Sequence, residues 1–130
     1  MANYYAHARS NYFGVKNEKK FKEWAENRDL DVEVDEDGLF AIFPSENDDF
    51  GGWPYYDNKT DSEIDICEEL SHHLQDEHVA VLQEVGNEKL RYLNGFSLAV
   101  NSKGEVKKVD IYDIYELAKN MGKYVTSAEY

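Results

Sequence analysis

The sequence predicts an α+β fold, in which three helices pack on a mainly antiparallel sheet in the order β-α-β-β-α-β-β-β-α. Three observations lead to this prediction. Alternating polar and apolar residues mark strands, short turn signals join neighbouring strands, and apolar residues recur at helical spacing in three separate segments. The length of 130 residues is typical of one domain, and we expect residues 1–130 to form a single domain.

The chain is predicted to begin with a strand and a short amphipathic helix. Residues 4–16 are rich in aromatic and β-favouring side chains and predict the strand, most clearly over residues 12–15. Asn17 is a suitable N-cap for a helix over residues 18–28. The apolar residues of that helix follow at helical spacing and are Phe21, Trp24 and Ala25.

A hairpin is predicted over residues 31–43. Residues 31–35 alternate strictly between acid and valine, so we expect the valines to face the core and the three acids to line the opposite face. Asp37 and Gly38 supply the turn, because an Asp-Gly pair tolerates the positive φ of tight hairpins. Residues 39–43 form the partner strand, which Pro44 ends.

Residues 44–61 are predicted to form a long acidic and aromatic loop. Loops of this length without structure of their own are uncommon and are often functional. Its aromatic side chains either pin the loop to the rest of the protein, which is the more common use, or face a partner; they are Phe50, Trp53, Tyr55 and Tyr56. Asp61 or Ser62 is expected to cap a second helix, whose apolar stripe is Ile64, Cys67, Leu70 and Leu74.

The C-terminal half is predicted to form a three-stranded meander and a last helix. The strands are expected over residues 78–85, 89–100 and 105–111. Turn signals separate them at Gly86-Asn87 and at residues 101–104. The last helix ends at Gly122 and carries the apolar residues Ile111, Ile114, Tyr115, Ala118 and Met121. We expect the tail, residues 123–130, to be irregular.

The charge of the chain is concentrated in one block. The 27 acids and 14 bases give a net charge of −13, and residues 29–77 hold 17 of the acids but one base, Lys59. A field of one sign repels nucleic acid and anionic membranes and attracts basic surfaces. We therefore expect neither direct nucleic-acid binding nor membrane binding. The acids either serve a basic protein partner or form a solvated face that keeps the protein soluble.

The composition also indicates the compartment. No apolar run approaches the 18 or more residues of a membrane span, and no signal peptide opens the chain. A single cysteine, Cys67, excludes an internal disulfide framework. We expect a soluble cytoplasmic protein, in the cytoplasm of a bacterial host.

No motif indicates catalysis or a cofactor. Gly51 and Gly52 lie among acids, which is the wrong field for a phosphate, and Cys67 falls on an apolar stripe. A histidine cluster lies on and after the second helix and consists of His72, His73 and His78. It lacks the His-Glu-x-x-His pattern and a second cysteine, so no metal site is predicted. The sequence leaves metal binding by this cluster open. We expect no catalytic residue and no cofactor, hence not an enzyme.

The acids themselves are the strongest candidate for a binding surface. Acids two residues apart on a strand stand about 6 to 7 Å apart on one face, and the loop and the second helix add further carboxylates. Such an array resembles the phosphates of a nucleic acid. With two loop aromatics, the candidate partner-binding residues are Asp31, Glu33, Asp35, Glu36, Asp37, Glu46, Asp48, Asp49, Trp53, Tyr55, Asp57, Asp61, Glu63, Asp65, Glu68 and Glu69.

Several segments resemble a family of small acidic proteins that phages and other bacterial mobile elements carry. They are residues 1–6 and 9–13, the Gly-Gly-Trp-Pro motif at 51–54, residues 84–96 and residues 128–130. The resemblance covers nearly the whole chain. Small acidic proteins of such elements often inhibit host defence, as anti-restriction and anti-CRISPR proteins do. The resemblance implies such a role and carries over no catalytic residue.

Two functions follow as expectations. The first is an inhibitor of a nucleic-acid-handling defence complex, such as a CRISPR effector or a restriction enzyme, whose Lys/Arg-rich site the carboxylates of residues 29–77 would occupy. The alternative is an adaptor or regulator anchored by the aromatic residues 50–56. A small enzyme with an acid-lined site ranks third.

Overall fold

The computed structural model describes residues 4–45, 51–88 and 92–126. Their fold is α+β, with three helices and mainly antiparallel strands in the predicted order, plus one extra two-residue hairpin. Along the chain the elements are β1 (Tyr4–Ser10), α1 (Glu18–Asn27), β2 (Leu30–Val34), β3 (Phe40–Pro44), β4 (Tyr56–Asp57), β5 (Ser62–Glu63), α2 (Ile66–Ser71), β6 (Val79–Glu88), β7 (Tyr92–Asn101), β8 (Val106–Asp110) and α3 (Asp113–Ala118).

A four-stranded antiparallel sheet, in the order β1-β6-β7-β8, organises the fold. Its register pairs Leu82 of β6 with Ser10 of β1 and with Leu98 of β7, so these three residues point to the same side. We call this side the inner face, because Ser10 and Leu82 are buried there. The residues that alternate with these along each strand point to the opposite side, which we call the outer face.

The core lies against the inner face. It joins residues of the sheet to residues of α1, α2 and the β2–β3 hairpin, and its largest fully buried side chains are Phe13, Phe21, Ile42, Leu70, Leu74, Leu82 and Val100. The ring of Phe21 packs against the rings of Phe13 and Phe40 at centroid distances of 5.8 and 5.5 Å. Burial of large apolar side chains is the main source of stability in such a layer.

The N-cap of α1 is the predicted one. The side chain of Asn17 accepts the N–H of Lys20 at 3.0 Å, which satisfies one of the free amides of the first turn. Phe21 and Ala25 are buried, and Trp24 packs on the edge of the core. The amphipathic helix predicted over residues 18–28 is thus confirmed, although it ends one residue earlier than predicted.

The first strand is shorter than predicted. It ends at Ser10. The next residue, Asn11, bonds to β6 mainly through its side chain, which accepts the N–H of Val81 at 2.7 Å and donates to the carbonyl of Val79, while its backbone N–H donates to the carbonyl of Val81. The strand was predicted most clearly over residues 12–15, but this segment forms only isolated β-bridges. Phe13 pairs with Phe40, and Val15 pairs with Leu74.

The prediction of residues 44–61 as a loop without structure of its own is wrong in part. A short antiparallel hairpin forms here, with strands of two residues each, Tyr56–Asp57 and Ser62–Glu63. The second helix consequently begins later than predicted, at Ile66. Its N-cap is Asp65, whose side chain accepts the N–H of Glu68 at 3.1 Å, and not Asp61 or Ser62.

The turn predicted at Gly86-Asn87 is also misplaced. Both residues remain in β6, because they pair with Asn94 and Leu93 of β7 on one side and with β1 on the other. Residues 89–91, which follow β6 and precede β7 in the sequence, lie outside the described residues.

The last helix is short and has no buried residue. It covers residues 113–118 of the predicted 111–121. Its N-terminal neighbour Tyr112 makes no side-chain capping bond, and Ile114 and Leu117 are exposed. The predicted tail is irregular over residues 123–126, and the remainder lies outside the described residues. Among the described residues, no helix has the length and apolar character needed to cross a membrane.

Candidate functional site

Two predicted acids are exposed on one side of the β2–β3 hairpin. Asp31 and Glu33 are exposed and lie opposite Phe43 and Ala41 of β3. Glu33 accepts a long hydrogen bond of 3.4 Å from the hydroxyl of Tyr12. Because they alternate along one strand, the two carboxylates project on the same side of the hairpin, as predicted.

Asp35 does not belong to this row, although its spacing predicted that it would. β2 ends at Val34, and the carboxylate of Asp35 accepts the N–H groups of Asp37 and Leu39, both at 2.9 Å. Asp35 therefore fixes the turn. Glu36 and Asp37 are exposed in that turn.

The two valines of this hairpin also differ from the expectation. Val32 is partly buried against the core, whereas Val34 is 60% exposed. Val34 lies next to the turn, opposite the buried Phe40 of β3. The alternation therefore indicated the side on which each residue points, but it did not indicate that Val34 is exposed there.

A second group of acids surrounds the start of α2. Its members are all exposed and are Asp61, Glu63, Asp65 and Glu68. Asp61 accepts a hydrogen bond from the hydroxyl of Tyr56, and Asp65 serves as the N-cap. The carboxylates of Glu63 and Glu68 make no ion pair with any residue that the structure describes.

Arg28 forms ion pairs with two of the predicted acids. Its guanidinium contacts Asp57 of β4 at 2.8 Å and Glu69 of α2 at 2.8 and 2.9 Å. The indole N–H of Trp24 donates to the same carboxylate of Glu69 at 2.9 Å. Asp57 and Glu69 are thus structural partners of the end of α1, and Arg28 ties α1, β4 and α2 together.

The electrostatics of this cluster follow from its geometry. The hydrogen bond from Arg28 lowers the pKa of Asp57, and the paired carboxylates raise the pKa of Arg28. Burial alone would raise the pKa of Glu69, but the hydrogen bonds from Arg28 and Trp24 outweigh it and lower that pKa. All three groups are therefore charged at neutral pH, and the guanidinium offsets one of the two carboxylate charges.

The other described acids of the predicted set lack such a partner. These acids are Asp31, Glu33, Asp35, Glu36, Asp37, Asp61, Glu63, Asp65 and Glu68. None of their carboxylates lies within ion-pair distance of a cation in the described part of the chain. Glu46, Asp48 and Asp49, together with Phe50, lie outside the described residues. The acidic block therefore keeps most of its charge, in two groups on the hairpin and around the start of α2.

The aromatic residues of the loop separate into a buried and an exposed set. Trp53 is only 5% exposed, its backbone N–H donates to Glu84 at 2.8 Å, and its indole N–H donates to the carbonyl of Gln83. It pins the loop to β6, which is the more common use of such residues. Tyr55 is 67% exposed and Tyr56 is exposed as well.

The histidines of the predicted cluster serve different purposes. The ring of His73 packs on Trp24 at a centroid distance of 5.3 Å, and burial lowers its pKa. His78 accepts the N–H of Gly14 at 2.8 Å through Nδ1, while His72 is exposed. Among the described residues, no group of three or more His, Cys, Asp or Glu side chains is placed to hold a metal ion.

Cys67 lies where its place on the apolar stripe predicted. It is buried in the core, and burial, helped by the nearby charge of Asp65, raises the pKa of its thiol to about 11. The thiol therefore stays protonated at neutral pH, and a protonated thiol is a weak nucleophile.

Sequence reasoning missed the role of Arg28. The only signal was its position, directly before the acidic block, whose boundary excluded it from the charge count. Its partners Asp57 and Glu69 are 29 and 41 residues away in the chain, so local patterns do not connect them.

No protein-family model matches this chain, and neither the curated proteins nor the solved structures contain a significant match.

Proposed function

We propose that this protein is a non-catalytic acidic binding protein that inhibits a nucleic-acid-handling defence complex of a bacterial host, a CRISPR effector or a restriction enzyme. It acts in the host cytoplasm by presenting carboxylates to a Lys/Arg-rich site. The observation that carries the proposal is the set of exposed acids on the hairpin and around α2 that have no ion-pair partner among the described residues.

Fixed exposed charges favour this function for a physical reason. Acids that repel each other lower the stability of a fold, and a basic partner relieves that repulsion. Asp31 and Glu33 stand on a two-stranded ladder, and Arg28 holds α1, which leads directly into β2, against α2. Two groups of carboxylates are thereby held on rigid elements, so the ordering cost of binding is low.

The proposal is tested by recovery of the partner from a bacterial lysate with tagged protein. The hairpin variant combines Asp31→Asn, Glu33→Gln and Glu36→Gln. The control variant combines Glu23→Gln, Glu26→Gln and Glu105→Gln, which are exposed acids outside the block. Both variants change the net charge by the same amount, so a general charge effect cancels.

We expect the native protein and the control variant to retain a nucleic-acid enzyme that high salt and excess DNA or RNA both release, because charge pairs are screened and compete with phosphates. The hairpin variant should recover at least about tenfold less of that enzyme, since each lost charge pair weakens association. Equal recovery by both variants would contradict the proposal.

The alternative function is a protein adaptor anchored by the aromatic residues 50–56. The exposure of Tyr55 and Tyr56 favours it, whereas Trp53 is part of the core. Under this alternative, Tyr55→Ala abolishes recovery of a partner that survives both salt and nucleic acid.

A further inference from the structure

A groove of about 600 Å³ crosses the outer face of the four-stranded sheet. Its apolar lining comes from Val85, Val109 and Ile111, which point outward by the register of the strands. Phe43 of the β2–β3 hairpin also lines it, so the groove reaches from the sheet to the hairpin. A volume of this size lies within the range of natural binding sites.

Gly95 of β7 leaves a depression in this groove. It pairs with Val85 of β6 and, on the other side, accepts the N–H of Ile111. A Cβ at position 95 would lie 3.0 Å from Cγ2 of Ile111 and 3.7 Å from Cγ1 of Val85. Glycine inside a strand often marks a place that another group approaches closely. Because two branched apolar side chains flank the depression, it suits an apolar side chain of a binding partner.

Several polar groups that line the groove already have partners within the protein. The amide of Gln83 donates to the hydroxyl of Ser97 at 3.0 Å. The buried carboxylate of Glu84 accepts the backbone N–H of Trp53 at 2.8 Å, and the carboxylate of Asp110 accepts the N–H two residues further along the chain at 2.9 Å. The binding capacity that remains in the groove is therefore chiefly apolar.

The groove adjoins the hairpin acids at Phe43. Asp31 lies directly opposite Phe43 in the ladder, so the two side chains project on the same side of the hairpin, with their Cβ atoms about 5 Å apart. The guanidinium of Arg9 lies 5.0 Å from the centre of the Phe43 ring and 5.9 Å from that of the Tyr12 ring. The hydroxyl of Tyr12 donates to Glu33. Direct neighbours therefore connect the groove to both exposed carboxylates.

The charges beside the groove select its occupant. Asp31 and Glu33 have no ion-pair partner among the described residues, whereas the guanidinium of Arg9 contacts two aromatic rings and donates to a neighbouring backbone carbonyl. Glu84 and Asp110 add carboxylates along the groove itself. An anionic occupant would meet these four carboxylates against the guanidinium of Arg9. A basic segment with an apolar side chain is the complementary occupant.

We propose that the groove receives an apolar side chain of a basic protein segment whose Lys or Arg residues pair with Asp31 and Glu33. The inference rests on the proposed function, because the segment belongs to the Lys/Arg-rich site that the carboxylates occupy, and it adds an apolar anchor to that contact. Neighbouring strands lie about 4.8 Å apart, so Gly95 is roughly 10 Å from β1, the strand that contacts β3. An extended segment covers this distance with about three residues, so one short segment reaches both places.

The test uses two labelled peptides of defined sequence, Lys-Arg-Lys-Leu-Arg-Lys-Lys and Lys-Arg-Lys-Ser-Arg-Lys-Lys, which carry the same charge and differ in one side chain. Fluorescence anisotropy gives their dissociation constants at about 50 and about 300 mM salt. The groove variant is Val85→Glu, and its matched control is Val34→Glu on the hairpin. The two valines are 59% and 60% exposed, and both lie on strands. Each substitution adds one negative charge, which by itself strengthens attraction to a basic peptide.

The native protein should bind the leucine peptide at least about tenfold more tightly than the serine peptide, with the same ratio at both salt concentrations, because burial of an apolar side chain is not screened. Val85→Glu should remove this preference, since its carboxylate stands beside the depression, and Val34→Glu should keep it. Val109→Thr, which keeps a β-branched side chain on the strand, should reduce the preference by about threefold. The hairpin variant should bind both peptides more weakly and keep their ratio.

Equal affinity of the native protein for the two peptides would overturn the inference and leave the proposed function standing. A preference that survives in Val109→Thr and in a folded Val85→Glu, or that is lost equally in Val34→Glu, would overturn it as well. If neither peptide binds the native protein, the carboxylates are not a site for a basic segment, and the proposed function fails together with this inference.

Discussion

The two faces of the four-stranded sheet are built from similar side chains and have different surroundings. On the inner face, Leu82 and Val100 are fully buried beneath the helices and the hairpin. On the outer face, Val85 and Val109 are more than half exposed. The comparison shows that an apolar row on a strand indicates a covered face without saying whether the chain itself supplies the cover.

The largest expected difference between the faces concerns stability. Leu82→Ala leaves a cavity in a packed core and should lower the free energy of unfolding by about 2 to 5 kcal/mol. Val85→Ala, three residues along on the other face, should change it by less than about 0.5 kcal/mol. Urea denaturation measures both, and losses of similar size would remove the distinction between the faces.

A smaller effect is expected at the cluster that ties the inner layer together. Arg28→Met removes three charged hydrogen bonds and leaves Asp57 and Glu69 without their cation. Because the cluster is partly exposed, the free energy of unfolding should fall by about 1 kcal/mol. Lys119→Met, which breaks the exposed pair with Glu116, is the matched control and should be nearly neutral. Equal losses in thermal denaturation would contradict a structural role for Arg28.

The smallest effect is a dependence on pH that belongs to the inner layer. Burial lowers the pKa of His73, as does the nearby His72, so the folded state favours the neutral ring. This contribution is complete above the ordinary histidine pKa of about 6.5 and is lost as the pH falls through the lowered value. The lowered pKa values of Asp57 and Glu69 act in the same direction in more acidic solution.

His73→Phe keeps a ring against Trp24 and should remove the loss of stability just below pH 6.5, an effect of less than about 1 kcal/mol. His72→Phe removes the smaller of the two causes and should reduce the loss of stability only in part, because the burial of His73 remains. A flat profile in the native protein between pH 7 and 5 would be inconsistent with this assignment.

Local features were predictable from the sequence. The cap at Asn17 and the turn at Asp37-Gly38 depend on residues within one turn of each other, and both elements form as predicted. The turn at Gly86-Asn87 failed because long-range pairing with β1 and β7 outweighs a local turn signal. Contacts between strands that are distant in the sequence decide whether such a local turn signal forms a turn.

The candidate site was predictable only in part. Exposure of Asp31 and Glu33 follows from charge and alternation. The pairing of Asp57 and Glu69 with Arg28 does not, because three separate elements have to meet before it forms. The same holds for α1 and α3, whose apolar spacings are alike, although one stripe is buried and the other is exposed.

The central proposal, that the carboxylates take the place of a nucleic acid, is tested most directly by competition. The nucleic-acid enzyme recovered from the lysate is titrated with labelled DNA or RNA at rising concentrations of this protein. We expect the apparent Kd of the nucleic acid to rise in proportion to the protein concentration, and the hairpin variant to lose this effect while the control variant keeps it. A ternary complex, in which enzyme, nucleic acid and this protein are bound together at unchanged affinity, would contradict the proposal.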